Sequence, residues 1–144
     1  MNDCLFCRIL AGEIPSRRVY EDETSIAFLD IAPYHRGHTL VIPRRHVPDG
    51  IADPASWAEV AEAIIRVSAL LKEKLGATGV NVLSNAGAVS GQEIFHFHVH
   101  ILPRYPSQPG MAGLAFRDDG AGDDLDGLHA ALMSSMDCPS SELS

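Results

Sequence analysis

The feature that most constrains this chain is a segment in which histidines alternate with apolar residues. Residues 95–101 read Phe-His-Phe-His-Val-His-Ile. Side chains alternate between the two faces of a β-strand, so this period of two predicts a strand over 94–102 with its apolar side chains on one face. The other face carries three imidazoles, spaced by roughly 6.5–7 Å. The apolar face can be buried, but the histidine face needs polar partners, because each imidazole has two ring nitrogens to satisfy.

The residues alone leave three interpretations of this histidine face open. The imidazoles can be structural side chains of the core, although three on one face of a strand would bury six ring nitrogens that need hydrogen-bond partners. They can share a metal ion, but no carboxylate lies nearby on the same strand. They can also perform nucleophilic chemistry, in which a neutral imidazole attacks an electrophile such as phosphorus and its neighbours stabilise the developing charge.

The rest of the chain predicts an α+β fold, with a five-stranded antiparallel sheet crossed by one long helix. Asp53 and Pro54 suit a helix start, apolar residues follow at three- and four-residue steps, and Gly76 is a natural stop. A short terminal helix is predicted over 123–136, with Leu125, Leu128 and Leu132 inward. The other four strands are predicted at 18–22, 24–30, 38–43 and 80–84.

The length and charge of the chain narrow the class of protein. Its 144 residues suit one domain, here predicted as a core over 1–105 and an acidic extension over 106–144 that belongs to the same domain. The net charge of −8 argues against binding to nucleic acid, and most of it lies in the extension. No apolar run reaches the roughly 18 residues of a membrane span, and the N-terminal residues lack a secretory pattern. We therefore expect no membrane association and a cytoplasmic location.

The segment 96–102, His-Phe-His-Val-His-Ile-Leu, resembles the signature of the histidine triad (HIT) family. The stretches 9–15, 28–31 and 37–43 are similar in order and register to the Hint-like branch, in the bacterial type with a Cys-x-x-Cys zinc site. The resemblance covers about residues 4–105. It implies the HIT-like fold and a homodimer in which two subunits extend the sheet.

The resemblance also implies roles for the histidines. His98 is expected to be the nucleophile that takes a nucleoside monophosphate from the substrate, with its second ring nitrogen held by the main-chain carbonyl of His96. His100 and the upstream His38 are expected to line the phosphate site and support the charge.

The substrate-binding residues follow from the same resemblance. Asp30 is expected to accept both ribose hydroxyls, and Asn85 and Gln92 to lie near the phosphate and the leaving group. The purine slot is expected to consist of Phe6, Ile9, Ile14, Leu29 and Ile31.

Cys4 and Cys7 have the spacing at which two thiolates can reach one ion. A redox pair, a zinc half-site and chance are the alternatives, and the chain shows none of the strand–helix context that a redox pair has. A zinc site needs two more ligands, for which His46 and His96 are the candidates. The resemblance supports this set of four, and a closed tetrahedron would make the zinc structural.

The predicted activity is hydrolysis or transfer at the α-phosphate of a purine nucleotide derivative, an AMP or GMP conjugate such as a phosphoramidate, through a covalent nucleotidyl-histidine. The alternative is a nucleotide-binding regulatory module with little turnover. No organic cofactor is expected. Glu93 departs from the Ser or Thr that several family members carry, and a carboxylate there would repel a phosphate leaving group and favour an amine.

Overall fold

The computed structural model describes residues 3–107 and 124–135. A five-stranded antiparallel sheet forms its centre, with the strands in the order β1-β2-β3-β5-β4, which confirms the predicted α+β class. The elements are α1 (Leu5–Leu10), β1 (Arg18–Glu21), β2 (Ser25–Leu29), β3 (Thr39–Pro43), α2 (Pro54–Leu75), β4 (Gly79–Leu83), a 3₁₀ turn at Ala88–Ser90, β5 (Val99–Arg104) and α3 (Leu125–Ser135).

The long helix α2 begins and ends where the sequence predicts. The Asp53 side chain accepts a hydrogen bond from the main-chain N–H of Ala55 at 3.0 Å and so caps the first turn. Gly76 ends the helix with φ 79°, a left-handed conformation that glycine adopts without a Cβ clash. The buried face of α2 carries Val60, Ala63, Val67 and Leu71.

Each of the two faces of the sheet is covered by a helix. One face packs against α2 through a cluster that includes Ala27, Val41 and Val99. The opposite face packs against α1 through a cluster made of Phe6, Ile9, Ile26, Phe28, Leu40 and Ile42. Neighbouring strand residues thus divide between the two clusters, as the period of two requires.

Three details of the histidine segment differ from the prediction. β5 begins only at Val99, because the main-chain N–H of Phe97 donates to the carbonyl of Val47 at 2.7 Å instead of joining the sheet. Pro103 does not end the strand: β3 pairs with β5 only as far as Ile101, so the missing N–H costs no bond on that side. The period of two assigns Phe95 to the buried face, but this residue is 49% exposed.

The chain divides into two compact units, Met1–Gly113 and Leu114–Ser144. The sheet, α1 and α2 belong to the first unit and α3 to the second. The terminal helix is confirmed, but its inward apolar face is not, since Leu125, Leu128 and Leu132 are all exposed. That the extension belongs to the same domain as the core stays a prediction.

Across residues 3–107 and 124–135, none of the helices has both the length and the apolar character needed to span a membrane. The cytoplasmic location stays a prediction.

Candidate active site and metal centre

The register of β3 and β5 brings two distant histidines together. Leu40 lies opposite His100, and His38 comes two residues before Leu40, so it is a diagonal neighbour of His100 on the same face. Nε2 of His38 lies 3.0 Å from Nδ1 of His100. His38 is 1% exposed. The sheet therefore builds this pair directly from its register.

His98 lies beside this pair and is held by its own backbone segment. Its Nδ1 is 2.8 Å from the main-chain carbonyl oxygen of His96. A carbonyl only accepts, so Nδ1 carries the proton and donates, and Nε2 of the neutral ring keeps its lone pair. This is the hydrogen bond that the family resemblance implies. The ring of Phe6 packs against that of His98 with an edge-to-face contact, 5.1 Å between centroids.

Burial keeps these imidazoles neutral. It lowers the pKa of His98 and of His38 from the usual value for histidine, and it lowers the pKa of His100 to about 4. The negative charge of Asp30 opposes the effect at all three rings without overcoming it. At neutral pH the site therefore offers uncharged imidazoles, which is the form in which a ring nitrogen can attack an electrophile.

Asp30 follows β2 at the edge of this site. Its Oδ1 accepts the main-chain N–H of Ala32 at 2.9 Å, and its Oδ2 lies 3.6 Å from Nε2 of His38. The Asp30, His38 and His100 side chains are close enough to surround an ion. However, Nδ1 of His38 accepts the main-chain N–H of Tyr34 at 3.2 Å, so its Nε2 carries the proton and offers no lone pair to a cation. This hydrogen bonding disfavours the interpretation of the cluster as a metal centre.

The loop after β4 holds the two predicted amide residues in different ways. Asn85 is half-buried beside Gly91, where a Cβ would lie 3.4 Å from Asn85 Nδ2 and where φ is 107°. Gln92 is buried and bonds only to main chain: Oε1 accepts from Gly87 at 2.8 Å, and Nε2 donates to the carbonyls of Pro48 and Ile94 at 2.8 and 2.9 Å. Gln92 therefore ties this loop to the loop after β3, and its amide has partners for both N–H groups.

The five residues predicted for the purine slot differ in burial, and three of them share one cluster. Phe6 and Ile9 are buried in the cluster between α1 and the sheet, and Ile14 packs at the edge of that cluster. Leu29 is half-buried at the end of β2, whereas Ile31 is 88% exposed. The slot role remains a prediction for all five residues.

The structure brings the four predicted metal ligands together. Nδ1 of His96 lies 3.5 Å from the sulfur of Cys4, 3.6 Å from that of Cys7 and 3.2 Å from Nδ1 of His46. The sulfur of Cys7 lies 3.3 Å from Nδ1 of His46. Nε2 of His96 donates to the carbonyl of Pro43 at 3.0 Å, so the lone pair on Nδ1 faces the cluster.

These spacings fit a tetrahedral zinc site. Zinc bonds of about 2.0–2.1 Å to nitrogen and about 2.3 Å to sulfur place tetrahedral ligands about 3.4 Å apart for two nitrogens and about 3.6 Å for a nitrogen and a sulfur. Two sulfurs and one imidazole nitrogen surround Nδ1 of His96. The lone pair on that nitrogen could accept a hydrogen bond from only one of them. A cation would satisfy all four ligand atoms, and four protein ligands would make a closed site.

Sequence reasoning missed two residues that this site uses. Tyr34 supplies the N–H to His38 and stacks its ring on that imidazole, 5.4 Å between centroids at 15°. Ser84 donates from Oγ to the main-chain carbonyl of His98 at 2.6 Å and fixes the segment that carries this histidine. A hydroxyl at the end of an apolar strand was the signal for Ser84. Tyr34 gave none, because its contact uses the main chain.

The fold and the set of histidines are shared with known proteins. A family model described as HIT domain matches residues 11–107, and the chain therefore belongs to the HIT family. A crystal structure of a HIT family protein from Bacillus anthracis has a TM-score of 0.82 and 33% identity, and covers 96% of this chain and 98% of that one.

Two further relatives bear on metal and activity. A Zn-bound histidine triad family protein from Mycobacterium smegmatis has a TM-score of 0.69 and 36% identity, and covers 94% of this chain and 96% of that one. The adenylylsulfatase HINT3 of Arabidopsis thaliana is 40% identical over 104 residues, which is 72% of this chain and 53% of that protein.

Proposed function

We propose that this protein is a nucleotide hydrolase or nucleotidyltransferase that acts at the α-phosphorus of a purine nucleotide conjugate. The observation that carries the proposal is the state of His98: its Nδ1 is committed to the carbonyl of His96, and its Nε2 keeps a lone pair. Membership of the HIT family and the relative named adenylylsulfatase support a nucleotidyl conjugate as the class of substrate.

The reaction takes two displacements at phosphorus. The lone pair on Nε2 of His98 forms an N–P bond while the bond from phosphorus to the leaving group breaks. The leaving group departs with that electron pair, and an amine leaving group takes up a proton from solvent. Water then attacks the same phosphorus, the N–P bond breaks, its electrons return to Nε2, and a proton of the water passes to solvent. The product is a nucleoside monophosphate, and an alcohol or amine in place of water would make the reaction a transfer.

The remaining residues act around this step. His100 and His38 lie beside His98, with 5.1 Å between the rings of His98 and His100, and they support the charge that develops on the phosphate. His96 contributes through its carbonyl, which fixes the proton on His98. In this proposal Asp30 accepts ribose hydroxyls through Oδ2, and Asn85 contacts the phosphate.

We propose structural zinc on Cys4, Cys7, His46 and His96. The distances among the ligand atoms support it, and so does the similarity to the Zn-bound protein from Mycobacterium smegmatis. When bound, the ion would hold α1 and the His96 segment against the end of β3, and the two displacements need no metal. His96 then serves both sites, with its ring on the zinc and its carbonyl on His98.

We also propose the homodimer that the family resemblance implies. β4 lies at an end of the sheet, and within residues 3–107 and 124–135 it pairs with β5 alone, which leaves its other edge without a strand partner there. Val82 on this strand is 45% exposed. Two copies that join at this edge would continue the sheet and protect unpaired main-chain groups.

A screen of purine nucleotide conjugates for release of monophosphate tests the proposal. It should include phosphoramidates, acyl phosphates and sulfate anhydrides of AMP and GMP, each offered to the wild-type protein and to His98→Asn, which keeps a polar side chain but no nucleophilic ring. Turnover by the wild type alone supports the enzyme. Nucleotide binding by both proteins with no turnover of any conjugate would favour the regulatory module instead.

A further inference from the structure

Tyr34 lies against a residue of the site, although the proposed reaction gives it no part. Its main-chain N–H donates to Nδ1 of His38 at 3.2 Å, and its ring stacks on the imidazole. Tyr34 as a whole is 71% exposed, whereas His38 is buried. The contact with the buried imidazole is therefore made at the surface, by a loop residue whose side chain contributes little to the core.

The hydrogen bond from Tyr34 determines where His38 carries its proton. A main-chain N–H can only donate, so Nδ1 of His38 is the acceptor and the proton of the neutral ring lies on Nε2. That Nε2 is 3.0 Å from Nδ1 of His100. Nδ1 of His100 is therefore an acceptor too, and the proton of this second ring lies on its Nε2.

His98 has the opposite arrangement. Its Nδ1 donates to the carbonyl of His96, which leaves the lone pair on Nε2. Two histidines that are two residues apart on the same face thus hold opposite tautomers. One presents a lone pair, and its neighbour presents an N–H donor.

We propose that Tyr34 is a positioning residue whose main-chain N–H sets the proton positions of His38 and His100, so that His100 offers an Nε2–H donor beside the lone pair of His98. The use of that donor on a phosphoryl oxygen rests on the proposed function, but the proton positions do not. In this arrangement the nucleophile and the group that stabilises the developing negative charge are both neutral before substrate binds.

The direct test is an NMR experiment on ¹⁵N-labelled protein at pH 7.5, which correlates ring nitrogens with ring carbon-bound protons and identifies each tautomer. His98 should report a proton on Nδ1, and His38 and His100 should report protons on Nε2. His100 with its proton on Nδ1 in the wild type would overturn the inference, whatever the activity.

Two variants at Tyr34 separate its N–H from its ring. Tyr34→Pro removes the N–H, so the ring of His38 is free to reverse its tautomer, and part of the His100 population should move its proton to Nδ1. Tyr34→Ala is the matched control: it loses the ring but keeps the N–H, and both tautomers should be retained. Since loss of one donor to a developing charge costs roughly 10²–10³-fold in kcat, a partial loss in Tyr34→Pro should lower kcat about 10-fold or more, with KM little changed. Equal spectra for the two variants would contradict the inference.

A second pair of variants tests the same chain of hydrogen bonds if Tyr34→Pro does not fold. His38→Gln can place an amide N–H near Nδ1 of His100 and should leave the proton of His100 on Nε2. His38→Glu places an acceptor there and should draw a proton to Nδ1. The same His100 tautomer in both variants would overturn the inference. If the tautomers are as inferred and no conjugate is turned over, the proposed function fails while the inference about Tyr34 stands.

Discussion

His96 and His98 are two residues apart and face the same side of the sheet, yet they belong to sites of different chemistry. In the Cys–His cluster, the second ring nitrogen of His96 donates to a carbonyl and the lone pair points at two sulfurs and another imidazole. At the candidate active site, Nδ1 of His98 donates to a carbonyl instead, which leaves the lone pair on Nε2. The choice of nitrogen that donates to the backbone decides whether a ring suits a cation or an electrophile.

The electrostatics of the two sites differ in the same way. The Cys–His cluster gathers two cysteine sulfurs and two imidazoles that could together hold a cation. The candidate active site alternates donors and acceptors through Tyr34, His38 and His100, and its imidazoles are uncharged beside the carboxylate of Asp30. The four predictions that follow test this contrast, starting with the largest effect.

Removal of the His98 ring should abolish turnover and leave the fold intact. His98→Ala loses the nucleophile, so kcat should fall by about 10⁴-fold or more, as when other enzymes lose a nucleophile. The measurement is single-turnover release of monophosphate, alongside thermal unfolding. His129→Ala, at an exposed position on α3, is the control histidine deletion and should keep full activity. Substantial turnover by His98→Ala would assign the chemistry elsewhere.

Loss of the metal should act mainly on stability. Cys7→Ser or exhaustive chelation removes a ligand that binds only the folded chain, which costs about 4 kcal/mol of unfolding free energy if free zinc stands near 1,000 times its Kd. The measurements are metal content by mass spectrometry and urea unfolding with and without added zinc. Activity should fall less than in His98→Ala, because the carbonyl of His96 loses order but stays present. Metal-free protein with unchanged unfolding free energy would contradict the structural role.

Acid should affect activity and stability at different pH values. With the pKa of His100 lowered to about 4 by burial, between His98 and His38 and opposed by Asp30, its ring stays neutral at pH 5.5. Burial also lowers the pKa of His98 and His38, so we expect the acidic limb of the kcat/KM profile to lie below pH 6.5, the ordinary pKa of a histidine.

The unfolding free energy should begin to fall at a higher pH than the activity does. Between pH 6.5 and about 4, His100 is protonated in the unfolded chain but not in the folded one. The unfolding free energy therefore has its full value above pH 6.5 and declines as the pH falls. Chemical unfolding at a series of pH values measures it. An activity profile with its acidic limb near pH 6.5 would show that the imidazoles are not held neutral.

The smallest expected effect is at Glu93, an exposed residue beside the loop that ends at Gln92. Glu93→Ser removes a carboxylate that repels a phosphate leaving group. The preference for amine over phosphate leaving groups should fall by a factor of about 3, in line with an exposed charge interaction of 0.2–1 kcal/mol. The ratio of kcat/KM for a matched phosphoramidate and dinucleotide measures it. An unchanged ratio would place Glu93 outside the leaving-group path.

Much of this architecture is predictable because it follows local patterns. The bounds of α2 follow from Asp53, Pro54 and Gly76, and the division of the sheet into two faces follows from alternation. The four residues of the Cys–His cluster also come together as expected, although 92 positions separate Cys4 from His96. The family resemblance supported this set of four ligands, which the spacing of the two cysteines alone does not predict.

Other features depend on the backbone and escape sequence patterns. The main-chain N–H of Tyr34 is common to every residue except proline, so nothing in the sequence indicates its bond to His38. The main-chain bonds of Gln92 were invisible for the same reason, and a predicted phosphate-site amide is found to tie two loops. Phe95 follows the alternation in the sequence but is 49% exposed, and it precedes β5, which begins only at Val99.

The central claim is that His98 forms a bond to phosphorus. Rapid-quench mixing of the protein with a conjugate labelled in its nucleotide, followed by peptide mapping at alkaline pH where phosphoramidates survive, tests it directly. We predict label on the peptide that contains His98, which appears within one turnover and disappears as monophosphate is released. Turnover without label on that peptide, or label that persists in His98→Ala, would contradict the account.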